Sequence, residues 1–287
     1  MRARGIRVPR RGVLASRALV AAAGAGLLAG AAVALPGTAH AAPVAATHLS
    51  HPERDWAGST VAAHEGRAAV PPGSAPQAAT TKGLDVSSRQ GSVNWTAARK
   101  AGARFAYVKA TESTTYHNAH FTQQYNGSYK AGLIRGAYHF ATPNTSTGRA
   151  QADYFVKHGG GWSKDGRTLP PILDIEYNPY GAECYGKSHA AMVAWVKSFT
   201  GEVHARTGRW PTIYTTADWW NTCTGKSPAF AAKDPLFVAR YSARIGALPA
   251  GWRTWTVWQY ADSGALPGDQ DRFNGGPARI KALANNT

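Results

Sequence analysis

Strand-like and helix-like patterns of apolar residues alternate along the chain from residue 82 to residue 287. Runs rich in β-branched and aromatic residues predict strands. These runs are 83–87, 105–110, 134–140, 171–177, 211–215, 235–241 and 254–260. Such alternation is typical of parallel strands joined by helical crossovers, so it predicts an α/β fold, either a barrel or a doubly wound sheet. The later strands have shorter connections, which indicates that the last third departs from strict alternation.

Apolar residues at helical spacing predict the crossover helices, most clearly at 188–207. The stripe along this helix consists of Met192, Trp195, Val196, Phe199 and Val203. Ser188 is placed to cap the first turn, and Gly208 with Pro211 ends the helix. The other predicted helices are 94–101, 119–131, 146–158 and 277–284.

The chain before residue 82 has a different composition. Residues 1–17 carry six arginines and no acid, residues 18–36 are uncharged and apolar, and Ala39-His40-Ala41 follows. This arrangement is typical of a secretory signal peptide, here 1–41, and the choice between Sec and twin-arginine export stays open. Residues 42–81 show neither helical nor strand periodicity and are predicted to be a disordered linker or pro-segment. We therefore expect one folded domain, 82–287, and no integral membrane segment after signal removal.

Charge and cysteine content fit an exported protein. Removing six arginines and no acids lowers the formal net charge from +16 to +10. A basic exported protein concentrates on polyanions, and an anionic cell-wall surface fits better than nucleic acid because Lys and Arg are scattered through the domain. A genome-wide bias toward arginine is the alternative. Cys184 and Cys223 predict one disulfide, and neither has a partner at metal-ligand spacing.

The run 170–177 ends in two acids, Asp174 and Glu176, separated by Ile175. In a strand, residues i and i+2 point to the same face, so both carboxyls are expected to project together. Repulsion between them should keep one protonated beside a carboxylate. Glycoside hydrolysis needs such a pair, one acid to protonate the leaving oxygen and one carboxylate to stabilise charge at the anomeric carbon. A solvated or salt-bridged strand end is the alternative for an isolated Asp-x-Glu.

Other polar and aromatic residues end the neighbouring strands, where the active sites of parallel barrels lie. Asp85 ends the first strand, Lys109 and Glu112 the second, Tyr138 the third, and Gln259 the last. Aromatic faces stack on sugar rings, and about half of the aromatic candidates are expected to face the ligand rather than the core. The candidates are Tyr107, Tyr116, Tyr138, Tyr214, Tyr241, Trp219, Trp220 and Trp258. The sequence thus predicts a sugar-binding mouth lined by acids and aromatics.

Several short motifs resemble, in order, those of glycoside hydrolase family 25 lysozymes. They are Gly83-Leu84-Asp85-Val86-Ser87, Gln90-Gly91, Asn94-Trp95, Val108-Lys109-Ala110-Thr111-Glu112, Gly136-Ala137-Tyr138-His139-Phe140, Leu173-Asp174-Ile175-Glu176, Pro211-x-Ile213-Tyr214 and Trp258-Gln259-Tyr260. The resemblance covers essentially all of 82–287. It implies a single modified TIM-like barrel, (β/α)5β3, and 1,4-β-N-acetylmuramidase activity.

The resemblance also implies roles for four acids. Glu176 matches the general acid, and Asp174 matches the carboxylate that steers the 2-acetamido group or stabilises the positive transition state. Asp85 matches an aspartate of the first strand. The last acid falls in Asp269-Gln270-Asp271-Arg272-Phe273, where alignment to Phe273 favours Asp269 over Asp271. The chain departs from the family at Arg89, where tryptophan is frequent, and at Ser113, where glycine is usual.

The expected protein is therefore a secreted, monomeric lysozyme that acts on peptidoglycan glycan strands without metal or cofactor. Lys109, Glu112, Tyr138, Tyr214, Tyr241, Trp258 and Gln259 are the expected substrate-binding residues. The alternatives are a non-catalytic cell-wall-binding barrel, a chitinase-like glycosidase, and a metal-dependent deacetylase that would use His139.

Overall fold

The structure is a computed structural model that describes residues 49–68 and 79–287. The expected signal peptide, 1–41, lies outside the described residues. The strands are β1 Thr81–Val86, β2 Phe105–Glu112, β3 Tyr116–His117, β4 Ile134–Phe140, β5 Ile172–Asp174, β6 Thr212–Thr215, β7 Leu236–Ala239, β8 Val257–Ala261 and β9 Asp269–Phe273. The helices are α1 Val61–Glu65, α2 Trp95–Lys100, α3 Phe121–Lys130, α4 Gly148–Lys157, α5 His189–Thr207, α6 Ala217–Thr224 and α7 Pro277–Asn285.

The strands close into a barrel. Strands β1, β2, β4, β5, β6, β7 and β8 follow one another in parallel, and β9 runs antiparallel to both β8 and β1. Strands β1, β2, β4, β5 and β6 are each followed by a helix before the next strand of the barrel. In the described part of the chain no helix separates β7, β8 and β9, and α7 comes after β9. The predicted (β/α)5β3 barrel is thus confirmed, and the doubly wound alternative is wrong because β1 pairs with β2 on one side and β9 on the other.

Most helices were predicted to within about two residues, because their caps are visible in the sequence. Ser188, for example, accepts a hydrogen bond from the Ala191 N–H at the start of α5, and Gly208 ends that helix in the left-handed conformation. Four elements were missed, namely α1, β3, α6 and β9. Helix α6 is short, and the sequence of β9, Asp-Gln-Asp-Arg-Phe, is so polar that it resembles a loop.

Two apolar cores pack against the strands, one inside the barrel and one outside it. Inside the barrel, large apolar and aromatic side chains fill the lower layers, and Ile280 and Ala284 of α7 close the bottom. The interior glycine Gly136 makes room for Tyr107, because a Cβ there would lie 2.3 Å from the tyrosine ring. Outside the barrel, the apolar stripe of α5 packs on alternate residues of the strands.

Residues 49–68, here called the N-terminal segment, pack against the barrel at the end opposite α7. Ala57 and Val61 are buried and belong to the cluster of the barrel interior. The expectation of a disordered linker is therefore wrong for this stretch. The apolar pattern of the sequence did not predict that this segment is ordered, because hydrogen bonds to distant residues hold it in place more than an apolar face does. In the described parts of the chain, no helix is long and apolar enough to cross a bilayer.

Candidate active site

Asp174 and Glu176 lie at the carboxyl end of β5, as the strand alternation predicted. Both side chains are fully buried, and Ile175 between them packs in the outer core under the helices. The Ile175 N–H donates to the Tyr214 carbonyl at 3.0 Å, so pairing with β6 continues past the last residue of β5. This extended backbone turns the two acids toward the same side of the sheet.

A glutamine ties two further acids to this site. Asp85 and Asp269 are direct cross-strand partners of β1 and β9. The Gln259 Nε2 donates to Asp85 Oδ2 at 2.8 Å and to Asp269 Oδ2 at 3.3 Å. Its Oε1 accepts from the Tyr214 hydroxyl at 2.7 Å and lies 3.0 Å from the Tyr241 hydroxyl oxygen. One side chain thus contacts four polar groups at the strand ends. Charge repulsion links Asp85 to Asp174, Glu176 and Asp269, so all four acids lie close together.

Burial keeps protons on this cluster. Loss of solvent raises the pKa of Glu176 from 4.5 to about 7, although hydrogen bonds from Thr60 and Gly58 oppose the shift. Burial also raises the pKa of Asp85 to about 7, with repulsion from Glu176 adding to it and the Gln259 hydrogen bond opposing it. The pKa of Asp174 lies well above its usual range because of burial and repulsion from Glu176. Near neutral pH the cluster therefore holds carboxylic acids that can donate protons.

Lys109 and Glu112 form a second buried unit at the rim. The Lys109 Nζ lies 2.6 Å from Glu112 Oε2, and neither side chain is exposed. The Tyr180 hydroxyl oxygen lies 2.8 Å from Glu112 Oε1. Burial raises the pKa of Glu112 to about 8 even though the lysine charge opposes the shift. Both residues are where the sequence placed them, and Tyr180 is an addition that no sequence pattern had indicated.

Of the four aromatics assigned to substrate binding, three face the pocket. The Tyr214 hydroxyl donates to Gln259, the Tyr138 hydroxyl accepts from the Ala57 N–H, and the Tyr241 hydroxyl donates to the Gly58 carbonyl. Trp258 does not, and its assignment to the mouth is wrong. It alternates with the inward-facing Gln259, so it lies in the outer core and donates from Nε1 to the Arg240 carbonyl at 2.9 Å.

His139 also points away from the pocket. Its two ring nitrogens contact Thr111 Oγ1 at 2.8 Å and Gln151 Oε1 at 3.0 Å, and the ring stacks on Phe199. Burial lowers its pKa to about 3, so the ring is neutral. Since both nitrogens are occupied, His139 is a structural residue, and the deacetylase alternative loses its metal ligand.

A further acid, Asp271, lies on the inward face of β9, two residues after Asp269. It is fully buried, and burial with repulsion from Asp85 raises its pKa well above the usual range. Its register partners are Gly83 and Gln259, so it lies one layer deeper than Asp269. The sequence offered Asp271 as the alternative to Asp269, and only the register of β9 shows that both face inward.

The predicted disulfide is confirmed. Cys184 and Cys223 are bonded, with their Cα atoms 5.3 Å apart. The bridge joins helix α6 to the loop that follows Glu176 and carries Tyr180. It therefore restrains one wall of the pocket.

Comparisons with known proteins identify the family of the chain. The sequence model of glycosyl hydrolases family 25 matches residues 84–269. Lysozyme M1 of Streptomyces globisporus is 53% identical over 211 residues, which cover 72% of each chain. An N,O-diacetylmuramidase of Chalaropsis sp is 50% identical over 209 residues, covering 71% of this chain and 99% of that protein. The structure of a family GH25 lysozyme from Aspergillus fumigatus aligns with a TM-score of 0.71 and 55% identity, covering 72% of this chain and 99% of the other.

A closed (β/α)5β3 barrel with a cluster of buried acids at its carboxyl end defines a glycoside hydrolase, and the relatives specify which one. The chain belongs to glycosyl hydrolases family 25. It is therefore an enzyme, and the alternative of a non-catalytic binding barrel is not supported.

Proposed function

We propose that this chain is a secreted lysozyme that hydrolyses the β-1,4 bond between N-acetylmuramic acid and N-acetylglucosamine in peptidoglycan. The observation that carries the proposal is the buried pair Asp174 and Glu176 at the mouth of a family 25 barrel. The relatives named lysozyme and N,O-diacetylmuramidase support this substrate. The second name extends the proposal to muramic acid that is O-acetylated.

In this mechanism Glu176 is the general acid. Burial in the barrel raises its pKa, which favours the protonated form, so its proton can pass to the glycosidic oxygen as the bond to the anomeric carbon breaks. Water supplies the hydroxyl at the anomeric carbon, and its remaining proton returns to the enzyme. The products are a new reducing end on muramic acid and a free 4-hydroxyl on glucosamine.

The other acids assist this step. Asp174, beside Glu176, stabilises positive charge at the anomeric carbon or orients the 2-acetamido group. Asp85 and Asp269, held by Gln259, complete the cluster of acids in the pocket. Lys109, Glu112, Tyr138, Tyr214 and Tyr241 line the sites for sugar rings and their polar substituents.

Secretion is part of the proposal. Residues 1–41 carry the features of a signal peptide, and a disulfide is favoured outside the reducing cytoplasm. Residues 42–81 then form a pro-segment, and residues 82–287 form the catalytic barrel. The net positive charge of the exported chain favours adsorption to an anionic wall. We further propose that it acts as a monomer.

The test is hydrolysis of purified peptidoglycan, with and without O-acetylation. The chain is first cut by a peptidase between Ala68 and Thr81, so that the N-terminal segment can leave the barrel. Glu176→Gln is expected to lower kcat by about 10²–10⁴, because general acid catalysis contributes about that much. Asp153→Asn, which removes a carboxylate from the outside of α4, is the matched control. Full activity of Glu176→Gln would refute the assignment of the acid, and absence of any hydrolysis by the cut wild-type chain would refute the function.

A further inference from the structure

The N-terminal segment fills the mouth of the pocket in which catalysis is proposed. Its turn enters between the strand ends, and Ala57 and Val61 are 3% and 0% exposed. Both belong to the same apolar cluster as Tyr138, Tyr214 and Tyr241. A glycan chain and this turn cannot occupy the mouth at the same time.

The segment engages both oxygens of the proposed general acid. The Gly58 N–H donates to Glu176 Oε1 at 2.6 Å, and the Thr60 hydroxyl donates to Oε2 at 2.6 Å. Donors on both oxygens leave neither oxygen free to approach a glycosidic bond. The contact therefore opposes the accessible state that catalysis requires.

The main chain of the same turn satisfies the groups around Glu176. Gln259 Nε2 donates to the Ala57 carbonyl at 2.8 Å, and the Tyr241 hydroxyl donates to the Gly58 carbonyl at 3.0 Å. The Ala57 N–H donates to the Tyr138 hydroxyl at 3.3 Å. A peptide amide carries the same N–H and C=O as the acetamido group of an N-acetyl sugar. A pocket that recognises such sugars can therefore accept this turn as a substitute.

The fit at the centre of the turn depends on glycine. Gly58 has φ of +92°, and a Cβ there would lie 2.0 Å from the Tyr241 hydroxyl oxygen and 2.5 Å from Gln259 Oε1. Any side chain would thus collide with the pocket as well as strain the backbone. The close approach shows that the turn and the pocket are complementary in shape.

Contacts on both sides of the turn hold the segment in place. Before it, Lys109 Nζ donates to the carbonyls of Pro52 and Asp55, and the Tyr180 hydroxyl donates to the Asp55 carboxylate. After it, Glu65 accepts a hydrogen bond from the Tyr177 hydroxyl at 2.8 Å, and Arg67 pairs with Asp262. Several of these contacts use residues that line the pocket, so the segment covers the site beyond Glu176.

We propose that residues 49–68 are an autoinhibitory plug, and that the exported chain stays latent until the connection between Ala68 and Thr81 is cut. The cut is hydrolysis of a peptide bond by a peptidase of the surroundings, with water as the second reactant. While attached, the segment competes with substrate at an effective concentration on the order of millimolar, and cutting removes this advantage. The proposal rests on the function proposed above, because latency concerns that same site.

The barrel does not require the segment in order to fold. The relatives from Chalaropsis sp and Aspergillus fumigatus are covered over 99% of their length by about 70% of this chain, and the family match begins only at residue 84. The cut chain is therefore expected to keep its structure when the segment leaves.

The test compares the exported chain before and after cutting at a protease site introduced within residues 69–78. The uncut chain is expected to hydrolyse peptidoglycan at least about tenfold more slowly, and cutting restores the rate. A synthetic peptide of residues 49–68, added to the cut chain, is expected to raise KM without changing kcat. Equal activity of the cut and uncut chains would overturn the plug and leave the function intact. Inactivity of both would overturn the function, and the plug with it.

Two glycine variants of the uncut chain sharpen the test. Gly58→Ala introduces the collision described above and is expected to release activity without cutting. Gly66→Ala is the matched control, because it also lies at positive φ (+73°) in the segment but has no atom within 4 Å of the added Cβ. It is expected to stay latent. Thr60→Val, which removes the hydroxyl donor to Glu176, is a second activating variant with a smaller steric change. If Gly58→Ala and Thr60→Val remained as inactive as the uncut wild type while cutting activated each of them, or if Gly66→Ala were as active as Gly58→Ala, the role of the turn would be wrong.

Discussion

Replacing Glu176 with glutamine should change how the stability of the uncut chain depends on pH. Burial raises the pKa of Glu176 from its ordinary value of 4.5 to about 7 in the folded chain. Below about pH 4 the group is protonated in both the folded and the unfolded chain, so its ionisation has no effect. Between these values the unfolded chain loses the proton while the folded chain keeps it. The free energy of unfolding therefore falls as pH rises, until it levels off above about pH 7.

The size of this effect follows from the displacement of the pKa. One pKa unit corresponds to about 1.4 kcal/mol, so ionisation of Glu176 lowers the free energy of unfolding by about 3 kcal/mol between pH 4 and pH 7.5. Because the neighbouring acids titrate together with it, the midpoint belongs to the cluster as a whole. Glu176→Gln removes this loss, so the variant should gain stability relative to wild type as pH rises.

The assay is urea unfolding of the uncut wild type and variant at several pH values from about 4 to 8. Glu53→Gln makes the same change on an exposed side chain and serves as the matched control. The expected result is a stability difference that grows by about 3 kcal/mol across this range in favour of Glu176→Gln. A difference that stays constant with pH would refute the argument that burial holds a proton on Glu176.

Two further predictions concern the support of the site. Changing both Cys184 and Cys223 to alanine should lower the free energy of unfolding by about 3–4 kcal/mol, because the disulfide closes a loop with a sequence separation of 39. An unchanged midpoint of urea unfolding would contradict this. Lys109→Met should cost about 3–5 kcal/mol by leaving Glu112 buried without its ion-pair partner, and the double variant Lys109→Met/Glu112→Gln should recover much of the loss. Additive losses in that double variant would contradict a direct pairing of the two side chains.

The site could be predicted where one strand carried its own signal. Asp174 and Glu176 follow a buried apolar run, so the two-residue period alone placed them together. The same rule shows why Trp258 was misplaced. It is adjacent to Gln259, and adjacent strand residues point to opposite faces. Both had been assigned to the mouth, and only one of them can face it.

What the sequence left hidden depends on contacts between distant parts of the chain. Strand β9 has polar residues because its inward face forms part of the acidic pocket, so it lacks the apolar run that marks a strand. The N-terminal segment was taken for a linker because its order comes from the groups it meets, such as Glu176 and Gln259, which lie more than one hundred residues later in the chain. No local pattern encodes such a partner.

The central claim is that the cluster around Glu176 cuts the bond on the muramic acid side. It is tested most directly by digesting peptidoglycan with the cut chain, reducing the new ends with borohydride and identifying the reduced sugar. The account predicts reduced muramic acid in the wild-type digest and about 10²–10⁴ less of it, at equal times, with Glu176→Gln. Reduced glucosamine instead of muramic acid, or an undiminished yield from Glu176→Gln, would contradict it.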